Sequence, residues 1–303
     1  MLRSGASQTS RSLRYTAAVD AFSLATAPRP ACNGWEAELS LAYDRRGERS
    51  VLTRRSHRGP LVVQKSLYPE GGSVCQNVIV HPPAGIVGGD RLTLEVIVGA
   101  GAQAQLTTPG AAKWYRSAGT PAQQRLRFSV GSGALLEWLP HETIVFDGAI
   151  AELDTQIALA ADAIFIGWEI VCLGRRLAGE RYANGRWSQD ITIRRGDVRQ
   201  WVEKMRLEGS APLLDSPVGL RSEGVFGTFY ASRSPMAEDL IIGCRKIACA
   251  DGDVAVTSLP GILLARYRGS SSEAAREYFA ALWMHVRPML AGREATRPRI
   301  WNT

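Results

Sequence analysis

The chain has 303 residues, 45% of them hydrophobic and 21% charged, enough to bury a substantial core in one or two domains. Its longest apolar stretch, Ala163 to Leu173, is broken by Glu169 and falls short of the roughly 20 residues a spanning helix needs, so no membrane segment is expected. Lys and Arg exceed Asp and Glu by seven, a surplus spread through Arg54, Arg55, Arg175, Arg176, Arg194 and Arg195 without aromatic stacking platforms; this points to a solvated surface or an acidic partner and away from nucleic acid.

Residues 1–34 hold four arginines, one acid (Asp20) and many Ser, Thr and Ala, with no apolar run or clear cleavage pattern, and read as a disordered leader. The five cysteines, Cys32, Cys75, Cys172, Cys244 and Cys249, are odd in number and include no Cys-x-x-Cys pair, which argues against a disulfide framework and against structural zinc. A reducing cytoplasm fits such a set.

From Trp35 onward the apolar pattern has a period near two. Leu92, Leu94, Val96 and Val98 share one face, as do Leu126, Phe128 and Val130, which predicts half-buried strands. Breaks at Pro69 to Gly72, Pro82 to Gly89, Gly99 to Gly101, Gly131 to Gly133 and the hairpin-like pair Asn184-Gly185 separate short strands over most of the chain. The expected fold class is mainly β, with the strand-rich body reaching to about residue 232; the spacing alone fits a large β sandwich, a barrel, or a β-helix-like or stacked β-sheet body.

An α+β segment is expected over about 233–292, followed by a C-terminal tail. After Ser234 and Pro235 the spacing of Leu240, Ile241, Cys244, Ile247 and Ala248 is helical, with Pro235 near a first helical position. Two short strands, near Val254 to Thr257 and Gly261 to Tyr267, precede a second helix. Ser270 and Glu273 suit its capping box, and Pro288 is expected to kink or end it.

Catalytic signatures are missing from the sequence: there is no phosphate loop, no His-Glu-x-x-His, no Gly-x-Ser-x-Gly and no dinucleotide fingerprint. The unusual residues are acids. Glu169 lies in the apolar strand Ala163 to Cys172, and Glu203 shares a face with Trp201, Met205 and Leu207. A carboxylate there is costly unless paired, protonated, metal-bound or facing a wet passage. Two accounts compete: ion pairs, for example with Arg175 or Arg176, or a carboxylate-lined path for a divalent cation. Asp90, at the end of a glycine turn, either accepts turn hydrogen bonds or joins such a path. Cys172 and His81 are softer candidate ligands suited to nickel. His141 beside Glu142 offers a possible base with no nucleophile placed next to it.

These residues fall in familiar blocks. His81-Pro82-Pro83-Ala84-Gly85-Ile86-Val87-Gly88-Gly89-Asp90, then Thr107 to Ser117, then Leu136-Glu137-Trp138-Leu139-Pro140-His141-Glu142 through Ala149 resemble, in order and spacing, the blocks of the urease accessory protein D family, called H in some organisms. Gly59 to Leu61, Leu67 to Gly71, Gly167 to Glu169, Cys172 to Arg175 and the terminal Pro298 to Thr303 agree too, so the resemblance covers about Trp35 to Thr303. Ala112 stands where Ser can occur, and Glu169 where Asp also occurs.

The resemblance implies a β-helix-like fold with added helices. It implies a non-enzymatic chaperone in a complex with accessory proteins F and G, acting on the urease apoprotein, with protein G supplying the GTPase activity. It implies no tightly bound cofactor and transient Ni2+ that moves through an interior route, to which Asp90, Glu169 and Glu203 contribute. The competing expectation from a different class is a metal-dependent hydrolase or lyase using His81, His141 and nearby carboxylates.

Overall fold

The computed structural model describes residues 34–302; the leader expected over residues 1–34, apart from Gly34, lies outside the described residues, as does Cys32. The chain begins with an antiparallel hairpin of β1 (Glu36–Arg46) and β2 (Arg49–Arg58) and a short β3 (Val62–Val63). It then winds through β4 (Cys75–Val80), β5 (Arg91–Val98), β6 (Gln103–Thr107), β7 (Ala112–Trp114), β8 (Ala122–Val130), β9 (Leu135–Leu139), β10 (Thr143–Val145), β11 (Ile150–Leu159) and β12 (Ile164–Leu173). Strands in this stretch alternate between two facing sheets. β5, β8 and β11 stack in parallel in the first; β4, β6, β9 and β12 stack in parallel in the second. This is the stacked, β-helix-like body that the family resemblance implies, one of the three arrangements that the alternation and the turn spacing allow. Gly101 and Gly133, at successive coil corners, take positive φ of 66° and 61°, a conformation that favours glycine.

Beyond the coils the chain returns to antiparallel pairing. β13 (Arg186–Arg195) joins the first sheet beside β11 and turns back as β14 (Val198–Glu208). β15 (Val225–Ser232) pairs antiparallel with β12; after α1 (Glu238–Arg245), β16 (Asp253–Leu259) and β17 (Ile262–Gly269) continue the same sheet. α2 (Ser272–Ala291) follows, and the strand orders are β14-β13-β11-β8-β5-β1-β2 and β16-β17-β15-β12-β9-β6-β4-β3.

Parallel register converts each strand's alternation into ladders across the sheet. Leu41, Val96, Phe128, Ile157 and Ile193 form one inward rung, and all five are buried. Burial of this kind, worth about 25 cal/mol per Å² of apolar surface, holds the sheets together. A second core lies on the outer face of the second sheet, where Trp168, Ile170 and Phe229 meet Phe279, Leu282 and Trp283 of α2. No described helix is long and apolar enough to cross a membrane.

Four local expectations change. Asn184-Gly185 is not a hairpin: it leads into β13, which runs parallel to β11, and the Asp147 carboxylate holds the Asn184 amide at 2.7 Å. The cap of α2 is Ser271, whose Oγ accepts from the Ala274 amide at 3.1 Å, while Ser270 turns to Asp251. Pro288 neither ends nor precedes the end by much, since α2 continues to Ala291; a proline in the last turn forfeits a single ladder bond. Pro235 lies ahead of α1, which starts at Glu238.

Candidate functional site

β12 runs unbroken past Glu169, but its neighbours do not. β9 gives way to β10 at Pro140–Glu142, β6 gives way to β7 at Thr108–Ala111, and β4 ends before the loop His81–Gly85. The register sets these interruptions side by side, since Val78, Thr107 and Leu139 share a row. Prolines 82, 83, 109 and 140 sit in the gaps, and a proline cannot donate to a ladder. The broken wall opens a cavity of about 510 Å³ between the sheets, mostly apolar but lined also by His81, Thr108, Lys113, Gln124, His141 and Glu169. Gly85 permits the close packing at its rim, because a Cβ there would lie 1.9 Å from Cε2 of Tyr115.

Glu169 faces this cavity from the second sheet. Thr155 of β11 lies 3.4 Å from its Oε1, and the Gln189 amide of β13 donates to its Oε2. No arginine or lysine pairs with it in the described chain. Burial, then the nearby charge of Glu203, push its carboxyl up to about 8, against the hydrogen bond from Thr155. The group is therefore largely protonated at neutral pH when nothing else neutralises it.

Glu203 reaches the same region from β14, at the edge of the first sheet. Arg266 of β17 pairs with its Oε1 at 2.6 Å and also donates to Thr228 Oγ1 at 2.7 Å. The cross-strand row Glu169, Thr228, Arg266 thus faces Glu203 across the interior. Glu203 Oε2 is buried without a hydrogen-bond partner among the described residues. The Arg266 guanidinium serves Glu203 and Thr228, and Glu169 is left without a cation among the described residues. Arg175 and Arg176, the sequence-level candidates for pairing, instead hold Glu180 at 2.6 Å and Glu223 at 3.4 Å.

The inward rungs explain the polar track. One reads Leu39, Leu94, Leu126, Thr155, Ile191, Glu203 and the next reads Ala37, Leu92, Gln124, Leu153, Gln189, Met205. In both, the first strands are apolar and polar residues interleave from β8 or β11 onward. Thr155, Gln189 and Gln124 are site residues that sequence reading missed, because a single Thr or Gln in a half-buried strand is unremarkable until the register aligns it with others.

Both histidines line the cavity. Burial lowers the His81 imidazole below its usual value, the Asp90 charge opposing, and its Nε2 has no hydrogen-bond partner among the described residues. Burial also lowers His141, opposed by its bond to the Thr108 carbonyl and by Glu142. The His141 Nδ1 lies 2.8 Å from that carbonyl oxygen, so Nδ1 carries the hydrogen and Nε2 keeps its lone pair. Neutral imidazole is the metal-ligating form. Among the described residues, no three His, Cys, Asp or Glu side chains converge to hold a metal.

Asp90 and Cys172 stand apart from this cluster. Asp90 is buried in its turn, accepting from the Trp35 amide at 2.8 Å and the Val87 amide at 2.9 Å, one on each carboxylate oxygen. Cys172 projects from the opposite face of β12, into the core beneath α2. Burial, then the Glu142 carboxylate, push its thiol up to about 12, against a hydrogen bond with Ser272, so the thiolate that would bind a soft cation is scarce.

The interruptions that make the cavity are the blocks singled out in the sequence, and they extend into a match over nearly the whole chain: residues 36–302 fit the model of the UreD urease accessory proteins. The chain belongs to the UreD urease accessory protein family. It is 54% identical over 273 residues to the urease accessory protein UreD of Dechloromonas aromatica (strain RCB), covering 89% of this chain and 95% of that one. It is 52% identical over 270 residues to UreD of Azoarcus sp. (strain BH72), with the same coverage of 89% and 95%. UreD of Pseudomonas fluorescens (strain Pf0-1) is 51% identical over 270 residues. For a UreD family member the His81 to Asp90, Thr107 to Ser117 and Leu136 to Glu142 blocks thus have a structural meaning: each carries one break in the second sheet.

Proposed function

We propose that this UreD family chain is a non-enzymatic chaperone of urease maturation that lets Ni2+ pass through the space between its two sheets, toward the urease apoprotein, in a complex with accessory proteins F and G. The observation that carries the reading is the cavity in the broken wall, with Glu169 facing it and no cation among the described residues paired to that acid. A divalent ion arriving there would take the place of the proton, and Glu203 Oε2 offers a second oxygen. His81 and His141, both neutral, would flank the entrance as weak, exchangeable donors. Sparse ligands suit passage, because a site that gathers three or four donors would retain the ion. Asp90 would hold the rim and Cys172 the helical layer, neither touching the cargo.

The test replaces Glu169 by Gln, which keeps the shape and removes the charge. Cells carrying Glu169→Gln should make urease with a markedly lower nickel content while the complex with F persists. Unchanged nickel loading at equal abundance of the complex would overturn the route.

A further inference from the structure

The seven-stranded sheet ends on β2, and from Thr53 to Arg58 every residue of this edge strand is exposed. Near its start the strand is covered, with the Ser50 amide donating to the Gly72 carbonyl at 2.9 Å. Beyond that point, among the described residues, no backbone hydrogen bond reaches its outer edge. A row of free N–H and C=O groups is a template for one more strand.

Cations stand on both faces of that row. Arg55 and His57 pair across β1 with Leu41 and Leu39, which are buried, so they lie on the inner side of the sheet; Arg54 pairs with Ala42 on the outer side. Arg58 is neutralised by Glu36. Arg54 meets only Ser40 Oγ, at 3.4 Å, and Arg55 and His57 have no hydrogen bond or ion pair among the described residues. A second copy of β2 would set arginine against arginine. The chain's own residues 1–33 carry four arginines and one acid, the same mismatch.

We propose that the outer edge of β2, from Thr53 to Arg58, docks an extended acidic segment of a partner protein as an added strand, with acids at adjacent positions meeting Arg54 on one face and Arg55 on the other. Opposite charges directly across a strand pair are stabilising, and the backbone row supplies the remaining affinity. A polyanion such as RNA or an anionic membrane would engage the charges and leave the backbone row unused.

The probe is a short synthetic peptide alternating Glu pairs with Val and Thr, titrated calorimetrically into the full chain and followed by amide hydrogen exchange. Binding should protect amides within residues 53–58. A peptide with prolines at alternate positions, and a Lys-for-Glu peptide, should each bind about tenfold more weakly or not at all, as should the acidic peptide against the R54E/R55E chain. Those positions are exposed, so the variant is expected to fold, and R54Q/R55Q provides a milder second variant. The proposal is overturned if the proline peptide binds equally, if protection appears elsewhere, if no peptide binds, or if polyuridine or phosphatidylserine vesicles bind and peptide does not.

Discussion

Arg287 of α2 grips Glu137 of β9 with two hydrogen bonds, Nε to Oε1 at 2.9 Å and Nη2 to Oε2 at 3.0 Å, and neither side chain is exposed. Trp283 adds a bond to Oε1 at 2.6 Å, Gln105 one to Oε2 at 3.0 Å, and Glu70 takes the other Arg287 nitrogen at 2.7 Å. The network fastens the last long helix to the outer face of the coil.

Removing one partner strands a buried charge, so Glu137→Ala or Arg287→Ala should cost about 3–5 kcal/mol, read as a lower urea midpoint. The changes Glu137→Leu and Arg287→Met together with Glu70→Gln should recover much of that loss, because they remove all three charges of the network and keep the volume. Single variants as stable as the parent would mean that apolar packing alone seats α2.

Glu169 makes stability depend on pH in a direction opposite to that of a paired acid. Its folded value of about 8 lies above the ordinary 4.5, so between these the folded chain holds more protons than the unfolded one. Stability therefore falls as pH rises through that window, by at most about 1.4 kcal/mol per unit from this group, and levels off above it. In metal-free protein, the stability gain of Glu169→Gln over the parent should grow from pH 6 to pH 8. A difference that stays flat would show that the carboxyl is already ionised.

The two acids were legible in the sequence because each violates an apolar period; the recurring turns marked a strand-rich body, and only the family blocks favoured a stack over a sandwich or barrel. What joins the two acids was not legible. Glu203 finds Arg266 across two sheets, a contact between residues distant in the chain that no local pattern records. Glu137 escaped notice since it sits next to Trp138 and Leu139 in a block that also offered His141 and Glu142 as chemistry. Cys172 was read as a candidate ligand; its place in the core under α2 depends on where that helix docks, which no local pattern records.

Cys172 should behave as a core thiol. Of the described cysteines, Cys75, Cys172 and Cys244 are buried and Cys249 is half-buried. Iodoacetamide at pH 8 should label Cys249 well ahead of Cys172, whose thiol lies near 12. Cys172→Ala should cost about 1 kcal/mol and leave nickel binding by the folded chain unchanged. Loss of nickel binding at unchanged stability would return Cys172 to the route.

Asp90 separates holding the rim from handling the cargo. Its two oxygens accept from the Trp35 and Val87 amides, and Trp35 leads directly into β1 while Val87 lies in the loop that borders the cavity. Asp90→Ala leaves both amides to water or to nothing, a loss of about 1–3 kcal/mol, with faster hydrogen exchange at Val87 as the local sign. Asp90→Asn keeps one acceptor oxygen and should lose roughly half as much. If Asp90 only shapes the rim, cells grown cool enough to keep Asp90→Asn folded should load urease with nickel as the parent does, whereas Glu169→Gln should not under the same conditions. A failure of Asp90→Asn to support loading in cells where the variant stays folded and its complex with F persists would place the Asp90 charge on the path, since the rim would then be held while the negative charge is gone.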